Sequence, residues 1–223
     1  MHAIAIYDLD KTITYAPTWT SFLVATARTQ NPWRLALLPF AGVATLCYAL
    51  KMVDRAGLKQ VTQRLMLGNG WQDSHATQAV AAFADRVAAD GVYAGARAAI
   101  AADRAAGRRI VLATASYAFY AGAIAERLGF DDVIGTGVVR EDGRLRARID
   151  GENCYGPAKL RMIEAWMAGE GIARSVAVIR FYSDHVSDAP TLEWADEAFA
   201  VNAHGPLRLL ARARGWTIVD WER

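Results

Sequence analysis

Two aspartates separated by a single residue, Asp8 and Asp10, follow the first apolar run of the chain in the pentapeptide Asp-Leu-Asp-Lys-Thr. Side chains at positions i and i+2 of an extended chain lie on the same side, so both carboxylates can face one bound molecule. One carboxylate can then attack as a nucleophile while the other donates and accepts protons. An ordinary aspartate-rich turn at a strand end also fits the pentapeptide taken alone.

A second pair of carboxylates, Asp184 and Asp188, follows the apolar run of residues 176–182. If this run forms a strand beside the first one, the two pairs meet in one cleft, where four carboxylates would repel one another without a cation. Mg²⁺ is a hard ion that prefers oxygen ligands and keeps bound water, so it is the expected occupant. Asp188 also stands where it can cap the helix that follows, and the two roles are compatible.

Two further positions could bind a phosphoryl group. Thr114 ends the apolar run that begins at Arg109, where its hydroxyl and the adjacent amide groups, including that of Ala115, can hold a phosphoryl oxygen at the start of a helix. Lys159 lies in the first turn of a predicted helix, and an ammonium aimed into the cleft would neutralise phosphoryl charge. A capping threonine and a solvated lysine are the simpler alternatives.

The elements that must position these residues are strands and helices in alternation. Residues 4–8 form a short apolar strand typical of a sheet buried on both faces. After residue 91 strands and helices alternate with short connections, which predicts an α/β fold with a doubly wound, Rossmann-like parallel sheet. Ligands bind beyond the carboxyl ends of such strands. The four signals described above, which are the two aspartate pairs, Thr114 and Lys159, fall in this region. The turn at Glu141-Asp142-Gly143 predicts a small β-hairpin flap.

Residues 14–90 read as helices only, so they interrupt the alternation directly after the first strand. We therefore predict a core domain formed by residues 1–12 and 91–223. Residues 13–90 are expected to form an inserted, all-helical cap domain over the strand ends, and we call them the insertion. A chain of 223 residues fits this division, because a domain typically has about 150 residues.

The four signals follow one order along nearly the whole chain: Asp-x-Asp-x-Thr, a helical insertion, a strand ending in Thr, Lys at a helix start, and a strand followed by Asp-x-x-x-Asp. In this order the sequence resembles the haloacid-dehalogenase-like (HAD) hydrolases, specifically subfamily IB, the phosphoserine-phosphatase-like branch with a cap after the first motif. Asn153-Cys154-Tyr155-Gly156 and Gly215-Trp216 resemble that branch too.

The resemblance implies a Mg²⁺-dependent phosphoric monoester hydrolase that works through an aspartyl-phosphate. Asp8 would be the nucleophile, and Asp10 would be the general acid and then the base that activates water. The metal ion would bind Asp8, the backbone carbonyl of Asp10, and Asp184, with Asp188 supporting it. The phosphoryl group would be bound by Thr114, Ala115 and Lys159.

The chain departs from the phosphoserine phosphatases at three places, one of which is Ser187, where they have an asparagine before the final motif aspartate. Where they carry a glutamate for the amino group of the substrate, this chain has Pro17, and no acid stands beside it. Where they have Ser-Gly-Gly, this chain has Thr-Ala-Ser at residues 114–116. We therefore expect a substrate other than phosphoserine. The candidates for substrate contact in the insertion are Tyr15, Trp19 and Arg55, with core aromatics as the alternative for the first two.

Residues 35–50 form an uncharged apolar run of sixteen residues that contains Pro39 and Gly42. The preferred interpretation is a buried helix or pair of helices. A membrane-surface contact through residues 33–51 stays open, whereas a span needs about 20 apolar residues. Lys51, Arg55 and Lys59 follow at helical spacing, either as a solvated face or as a basic stripe that suits an amphiphilic phosphate. A membrane-associated lipid-phosphate phosphatase is therefore the alternative function.

Composition limits the remaining classes. An apolar content of 53% excludes a disordered chain, and a net charge of +2 argues against a nucleic-acid partner. Two distant cysteines form no metal or redox pair, and the first residues show no secretory signal, so we expect a cytoplasmic protein, in contact with a membrane only peripherally. The expected partner is a small-molecule or amphiphilic phosphate monoester. A non-catalytic phosphate-binding module is the alternative of another class, disfavoured by the intact acidic and basic set.

Overall fold

The computed structural model describes residues 2–222, which form one mixed eight-stranded sheet with helices on both faces. The strands are β1 (His2–Tyr7), β2 (Trp71–Gln72), β3 (Arg109–Tyr117), β4 (Asp132–Glu141), β5 (Arg144–Asp150), β6 (Ala177–Ser183), β7 (Glu197–Val201) and β8 (Thr217–Val219). Their order in the sheet is β2-β5-β4-β3-β1-β6-β7-β8.

The helices lie between these strands. They are α1 (Thr18–Gln30), α2 (Leu38–Ala49), α3 (Arg55–Met66), α4 (Asp73–Asp90), α5 (Ala94–Ala105), α6 (Ala118–Arg127), α7 (Pro157–Gly169), α8 (Ala189–Trp194) and α9 (Gly205–Arg214). Short 3₁₀ turns occupy Pro32–Leu37, Arg174–Val176 and Val186–Asp188.

Six strands that are neighbours in the sheet, in the order β4-β3-β1-β6-β7-β8, are parallel. Within them β1 lies between β3 and β6. Ile4, Ile6 and Tyr7 are fully buried, as expected for a central strand covered on both faces. Alternate residues of β1 enter two separate apolar clusters, one packed with α4, α5 and α6 and the other with α7 and α9. The predicted doubly wound α/β fold is confirmed. The register pairs Tyr7, the residue before Asp8, with Leu112 and Tyr182, which lie two positions before Thr114 and Asp184.

The insertion contains α1 to α4, as its helical pattern predicts, but it is not entirely helical. Trp71 and Gln72 form β2, which pairs antiparallel with β5 at the sheet edge. A two-residue strand shows no periodicity in a sequence, so this correction depends on packing: the buried Trp71 ring meets Phe22 and Phe119 edge to face. The division into domains at residues 12–13 and 90–91 stays a prediction.

The predicted hairpin is confirmed as the antiparallel pair of β4 and β5. Its turn residues Asp142 and Gly143 both have positive φ angles, of 50° and 66°. This pairing of aspartate and glycine with left-handed backbone is the one that two-residue hairpin turns require. The turn therefore explains why the chain reverses there.

The preferred interpretation of the apolar run at residues 35–50 was wrong. No side chain of α2 is buried, and none is buried in the preceding 3₁₀ turn. One side of α2 packs against α3, and no element covers its other side within residues 2–222. Hydrophobicity along a sequence does not reveal whether another layer exists to cover it. Within the described part of the chain, every helix is too short or too polar to cross a bilayer.

Candidate active site

The ends of β1, β3 and β6 open into a cleft of about 300 Å³. Every residue predicted from the four core motifs lines it, and so does Arg55 from the insertion. The lining residues are Asp8, Asp10, Lys11, Pro17, Arg55, Thr114, Ala115, Tyr155, Lys159, Asp184, His185, Ser187 and Asp188. The parallel strands bring together residues that are more than a hundred positions apart in the sequence.

Lys159 lies at the centre of the cleft and is only 2% exposed. Its Nζ donates to Asp8 Oδ1 at 2.8 Å and to Asp188 Oδ2 at 2.6 Å. Burial disfavours the ammonium, but the two carboxylates outweigh that effect and raise the pKa of Lys159 above its ordinary value. The solvated-lysine alternative is therefore wrong, and the cleft contains a permanent cation beside the predicted nucleophile.

Two carboxylates of the cleft, Asp8 and Asp184, hold their protons more tightly than usual. Burial raises the pKa of Asp8 to about 6, against the lowering effect of Lys159. Burial and the charges of Asp8 and Asp188 raise the pKa of Asp184 to about 7. Asp188 Oδ1 is buried and has no hydrogen-bond partner among residues 2–222. The cleft thus has an excess of negative charge and an unused buried oxygen.

Asp10 accepts hydrogen bonds mainly from hydroxyl groups. The backbone amide and the hydroxyl of Thr18 both donate to Asp10 Oδ1 at 2.7 Å, and Ser116 Oγ donates to Oδ2 at 3.1 Å. Tyr120 in turn donates to Ser116 Oγ at 2.6 Å. These three hydroxyl residues were missed in the sequence, where the one available signal is that Ser116 follows Thr114 by two positions.

The turn after β1 ties the first motif to the last one. Lys11 adopts a left-handed backbone with φ of 62°, which costs free energy for a residue with a side chain. The turn directs Thr12 inward, where its Oγ1 accepts the amide of Asp184 at 3.0 Å. The Asp8 amide donates to the Tyr182 carbonyl at 2.9 Å. Asp8 and Asp184 are therefore held at a fixed separation.

The end of β3 is irregular, with a register shift between Thr114 and Tyr117. Thr114 Oγ1 accepts the amide of Ser116 at 3.0 Å, which turns the backbone at Ala115 toward the cleft side of the strand end. Lys59 of α3 donates to the carbonyl of Ala115. The backbone at Ala115, which is predicted to bind the phosphoryl group, is thus hydrogen-bonded to a side chain of the insertion.

Lys59 was predicted to belong to an exposed or anion-facing basic stripe, and the structure corrects this. It is buried, and its Nζ donates to Asn153 Oδ1 at 2.7 Å and to Thr136 Oγ1 at 3.2 Å. Burial and the nearby charge of Arg55 lower the pKa of Lys59 to about 7. The side chain joins α3 to the core, and a pattern along one helix cannot reveal partners so distant in sequence.

The three substrate-contact candidates of the insertion fall into two groups. The guanidinium of Arg55 lies in the cleft, 4.5 Å from the ring centre of Tyr155. Trp19 donates to Thr62 Oγ1 at 3.1 Å and packs among aromatic rings, and the Tyr15 ring meets that of Tyr93 edge to face. Tyr15 and Trp19 therefore lie outside the cleft, as packed aromatics.

Gly156 directly precedes α7, the helix that carries Lys159, and its φ of 59° and ψ of −134° suit only glycine. We expect Gly156→Ala to lower the free energy of unfolding by about 1–3 kcal/mol, measured by urea denaturation. The matched control is Gly169→Ala at the other end of α7, where a Cβ would meet nothing within 4 Å. Equal effects at the two positions would contradict the assignment of strain to Gly156.

Comparisons with known proteins agree with this arrangement. A family model described as haloacid dehalogenase-like hydrolase matches residues 5–193. The chain is 31% identical over 223 residues to the inhibition of morphological differentiation protein of Streptomyces azureus, an alignment that covers 98% of this chain and 78% of that protein. It is 34% identical over 137 residues to phosphoserine phosphatase SerB1 of Mycobacterium tuberculosis, covering 61% of this chain and 44% of SerB1.

A solved structure also matches over the full length. The crystal structure of a protein with unknown function from Bordetella pertussis Tohama I has a TM-score of 0.85 and 26% identity, covering 99% of both chains. The resemblance seen in the four motifs is thereby confirmed at the level of the family. With its motifs converging on one cleft and a family model matching most of its length, the chain belongs to the haloacid dehalogenase-like hydrolases.

Proposed function

We propose that this protein is a Mg²⁺-dependent phosphatase that hydrolyses a phosphate monoester through an aspartyl-phosphate intermediate. One observation carries the proposal: the ammonium of Lys159 is buried against the Asp8 carboxylate, beside the strand end at Thr114. A cation at that point would attract a phosphoryl group to within reach of a nucleophile. The phosphatase names of two relatives support the same reaction class.

The residues present fit a magnesium ion. No three histidine, cysteine, aspartate or glutamate side chains of residues 2–222 surround one point closely enough to hold a metal by themselves. Mg²⁺ does not need such a cage, since one or two carboxylates, water and substrate phosphate complete its shell. The unpartnered oxygen of Asp188 and the negative excess of the cleft favour a divalent cation. We assign it to Asp8, Asp184 and the Asp10 carbonyl, with Asp188 in support.

The chemistry then divides between the two aspartates of the first motif. A carboxylate oxygen of Asp8 attacks phosphorus, the P–O bond to the alcohol breaks, and Asp10 gives its proton to the departing oxygen. Asp10 next takes a proton from water, which attacks the phosphorus of the aspartyl-phosphate and restores Asp8. Lys159 and the Thr114 hydroxyl hold the phosphoryl oxygens in line with this attack. A bound Mg²⁺ would supply further charge neutralisation on those oxygens.

The non-catalytic alternative fits the geometry less well. A protein that only binds phosphate gains nothing from a buried carboxylate at the phosphate position, because the two anions repel each other. Asp8 lies there, joined to Lys159 and only 7% exposed. Its presence is accounted for if the carboxylate becomes a covalent ester during the reaction.

The substrate is proposed not to be phosphoserine. The only residues of the insertion that line the cleft within the described chain are Pro17 and Arg55. Neither offers a carboxylate to the ammonium of phosphoserine, and Arg55 would repel it. We therefore propose a monoester whose non-phosphate part is neutral, apolar or anionic where it meets Arg55.

The proposed function is tested by a screen of phosphate release. Amino-acid, sugar, nucleotide and lipid phosphates are offered with Mg²⁺ and, in parallel, with a chelator. We expect release from at least one class, lost on chelation and restored by added Mg²⁺. Release that is indifferent to the chelator would overturn the metal assignment, and no release from any class would overturn the phosphatase.

Binding of Mg²⁺ should depend on pH in a defined direction. The pKa values of about 6 for Asp8 and about 7 for Asp184 belong to the metal-free protein, so protons compete with the cation below neutrality. We expect the dissociation constant to be nearly constant above pH ~8 and to rise by about tenfold or more toward pH ~5.5. Isothermal titration calorimetry at several pH values measures this, and a constant affinity would contradict it.

A further inference from the structure

An exposed apolar row runs along the outer side of α2. Phe40, Val43, Leu46 and Leu50 follow one another at helical spacing and are 61%, 59%, 58% and 63% exposed. Trp33 before the helix and Met52 after it are exposed as well. We call these six residues the α2 stripe. Contiguous apolar surface of this kind is unfavourable in water and usually marks a contact site.

The apolar side chains of α2 contribute little to the folded core. None of its residues is buried, and it rests on α3 through one half-buried side. Of the ten large apolar side chains that are exposed in residues 2–222, seven lie between positions 33 and 52. An apolar run that the core does not use needs another partner, and the remaining surface shows only scattered examples.

The charge around the α2 stripe indicates which partner. Between Asp10 and Asp73 the only acidic residue is Asp54, which caps α3 through the amide of Gly57 at 2.7 Å. Seven basic residues lie in the same interval, so residues 11–72 have a net charge of +6 in a chain whose total is +2. They are Lys11, Arg28, Arg34, Lys51, Arg55, Lys59 and Arg64, of which Lys59 is buried and the other six reach the surface. Apolar surface with a basic margin matches an anionic lipid bilayer.

A groove leads from the α2 stripe to the cleft. It has a volume of about 710 Å³ and is lined by the end of α2, the α2–α3 connection and two core residues. Arg55 and Tyr155 line both this groove and the cleft, so the two adjoin each other. Ala49, Met52 and Val53 give the groove an apolar side. A phosphate at Lys159 can therefore belong to a molecule whose apolar part extends toward the stripe.

We infer that the α2 stripe docks the protein on the surface of an anionic lipid bilayer. The helix would lie in the plane of the interface with the stripe among the acyl chains and its basic neighbours near the headgroups. A second part of the inference rests on the proposed function. The phosphate monoester that enters the cleft is an amphiphile held in that bilayer.

A second copy of this chain is the competing occupant of the α2 stripe. Apposing two stripes would bring two segments of net charge +6 together, and their repulsion opposes such a dimer. An anionic surface instead gains attraction from those of the same basic residues that reach the surface, Lys51 among them. The charge therefore favours the bilayer, and the oligomeric state becomes an outcome of the test.

Vesicle flotation of the full chain tests the docking surface. The vesicles contain phosphatidylcholine alone or an equal mixture with phosphatidylglycerol. The variant is Phe40→Ser, Leu46→Ser, Leu50→Ser, and the matched control is Leu209→Ser, which replaces a 68% exposed side chain on α9. We expect wild type and control to float with the anionic vesicles, and the bound fraction of the variant to fall by about tenfold or more.

The docking inference is overturned if wild type does not float with the mixed vesicles, or if the stripe variant floats equally well. It is also overturned if light scattering shows a dimer for wild type and a monomer for the stripe variant, while neither protein binds vesicles. Lys51→Gln should weaken flotation with the anionic vesicles only. An Asp8→Asn variant should float like wild type, because docking does not require the reaction.

The substrate part is tested by phosphate release from phosphatidic acid in the mixed vesicles and from glycerol 3-phosphate in solution, both with Mg²⁺. We expect wild type to favour the vesicle substrate, and the stripe variant to lose about tenfold in rate on it alone. A preference for the soluble ester overturns the amphiphile but leaves the phosphatase standing. Absence of release from every ester overturns the proposed function while flotation still decides the docking.

Discussion

Asp8→Asn should lower Mg²⁺-dependent phosphate release by a factor on the order of 10³ or more. The amide has nearly the shape of the carboxylate, so Lys159 retains its second ion pair with Asp188 and the strand ends keep their positions. What disappears is the oxygen that attacks phosphorus. Initial rates on the best substrate of the phosphatase screen measure the effect.

A matched substitution separates this loss from a change in folding. Asp142→Asn makes the same chemical change at a hairpin turn where the side chain is 92% exposed, and its rate should equal that of wild type. Thermal unfolding of both variants should remain close to wild type. If Asp8→Asn retains most of its activity in a folded protein, Asp8 is not the nucleophile.

Asp10→Asn should lower turnover by about 10²–10⁴-fold while still allowing the first step on an ester with a good leaving group. Such an ester needs no proton from Asp10, but the following attack by water does. The aspartyl-phosphate should therefore accumulate, visible as one added phosphate in the mass of acid-quenched protein and as a burst of the released alcohol.

The double variant Asp8→Asn, Asp10→Asn is the control for this trap. It lacks the nucleophile, so no phosphate should be added to the protein. Phosphate that appears in the double variant would place the adduct on another residue. Full turnover in Asp10→Asn would remove the acid and base roles from this side chain, which Thr18 and Ser116 hold in place.

The convergence of the cleft could be predicted from the sequence because it depends on one rule. Parallel strands present their carboxyl ends at the same edge of the sheet, so Asp8, Thr114 and Asp184 meet once three strands are recognised. The hairpin turn was equally accessible, since Asp142 and Gly143 are the residue types that positive φ angles require. Both inferences use only local chemistry.

The features that were predicted wrongly, the burial of α2 and of Lys59, depend on which other elements cover a residue. The apolar run of α2 was expected to be buried, yet no layer of the described chain lies over it. Lys59 was expected at the surface, yet Asn153 and Thr136 offer it oxygens from the core. Periodicity describes one helix at a time and contains no information about neighbours that are remote in sequence.

Lys59 and Thr18 also set a limit on exchanging parts between relatives. The first reaches from the insertion to the backbone of Ala115, and the second orients Asp10. A chimera that received a foreign insertion would lose both contacts at once, even if every motif of the sheet were intact. Grafts should succeed only when Lys59 and Thr18 are transferred together with the residues that accept their hydrogen bonds. The insertion and the core are therefore not interchangeable modules.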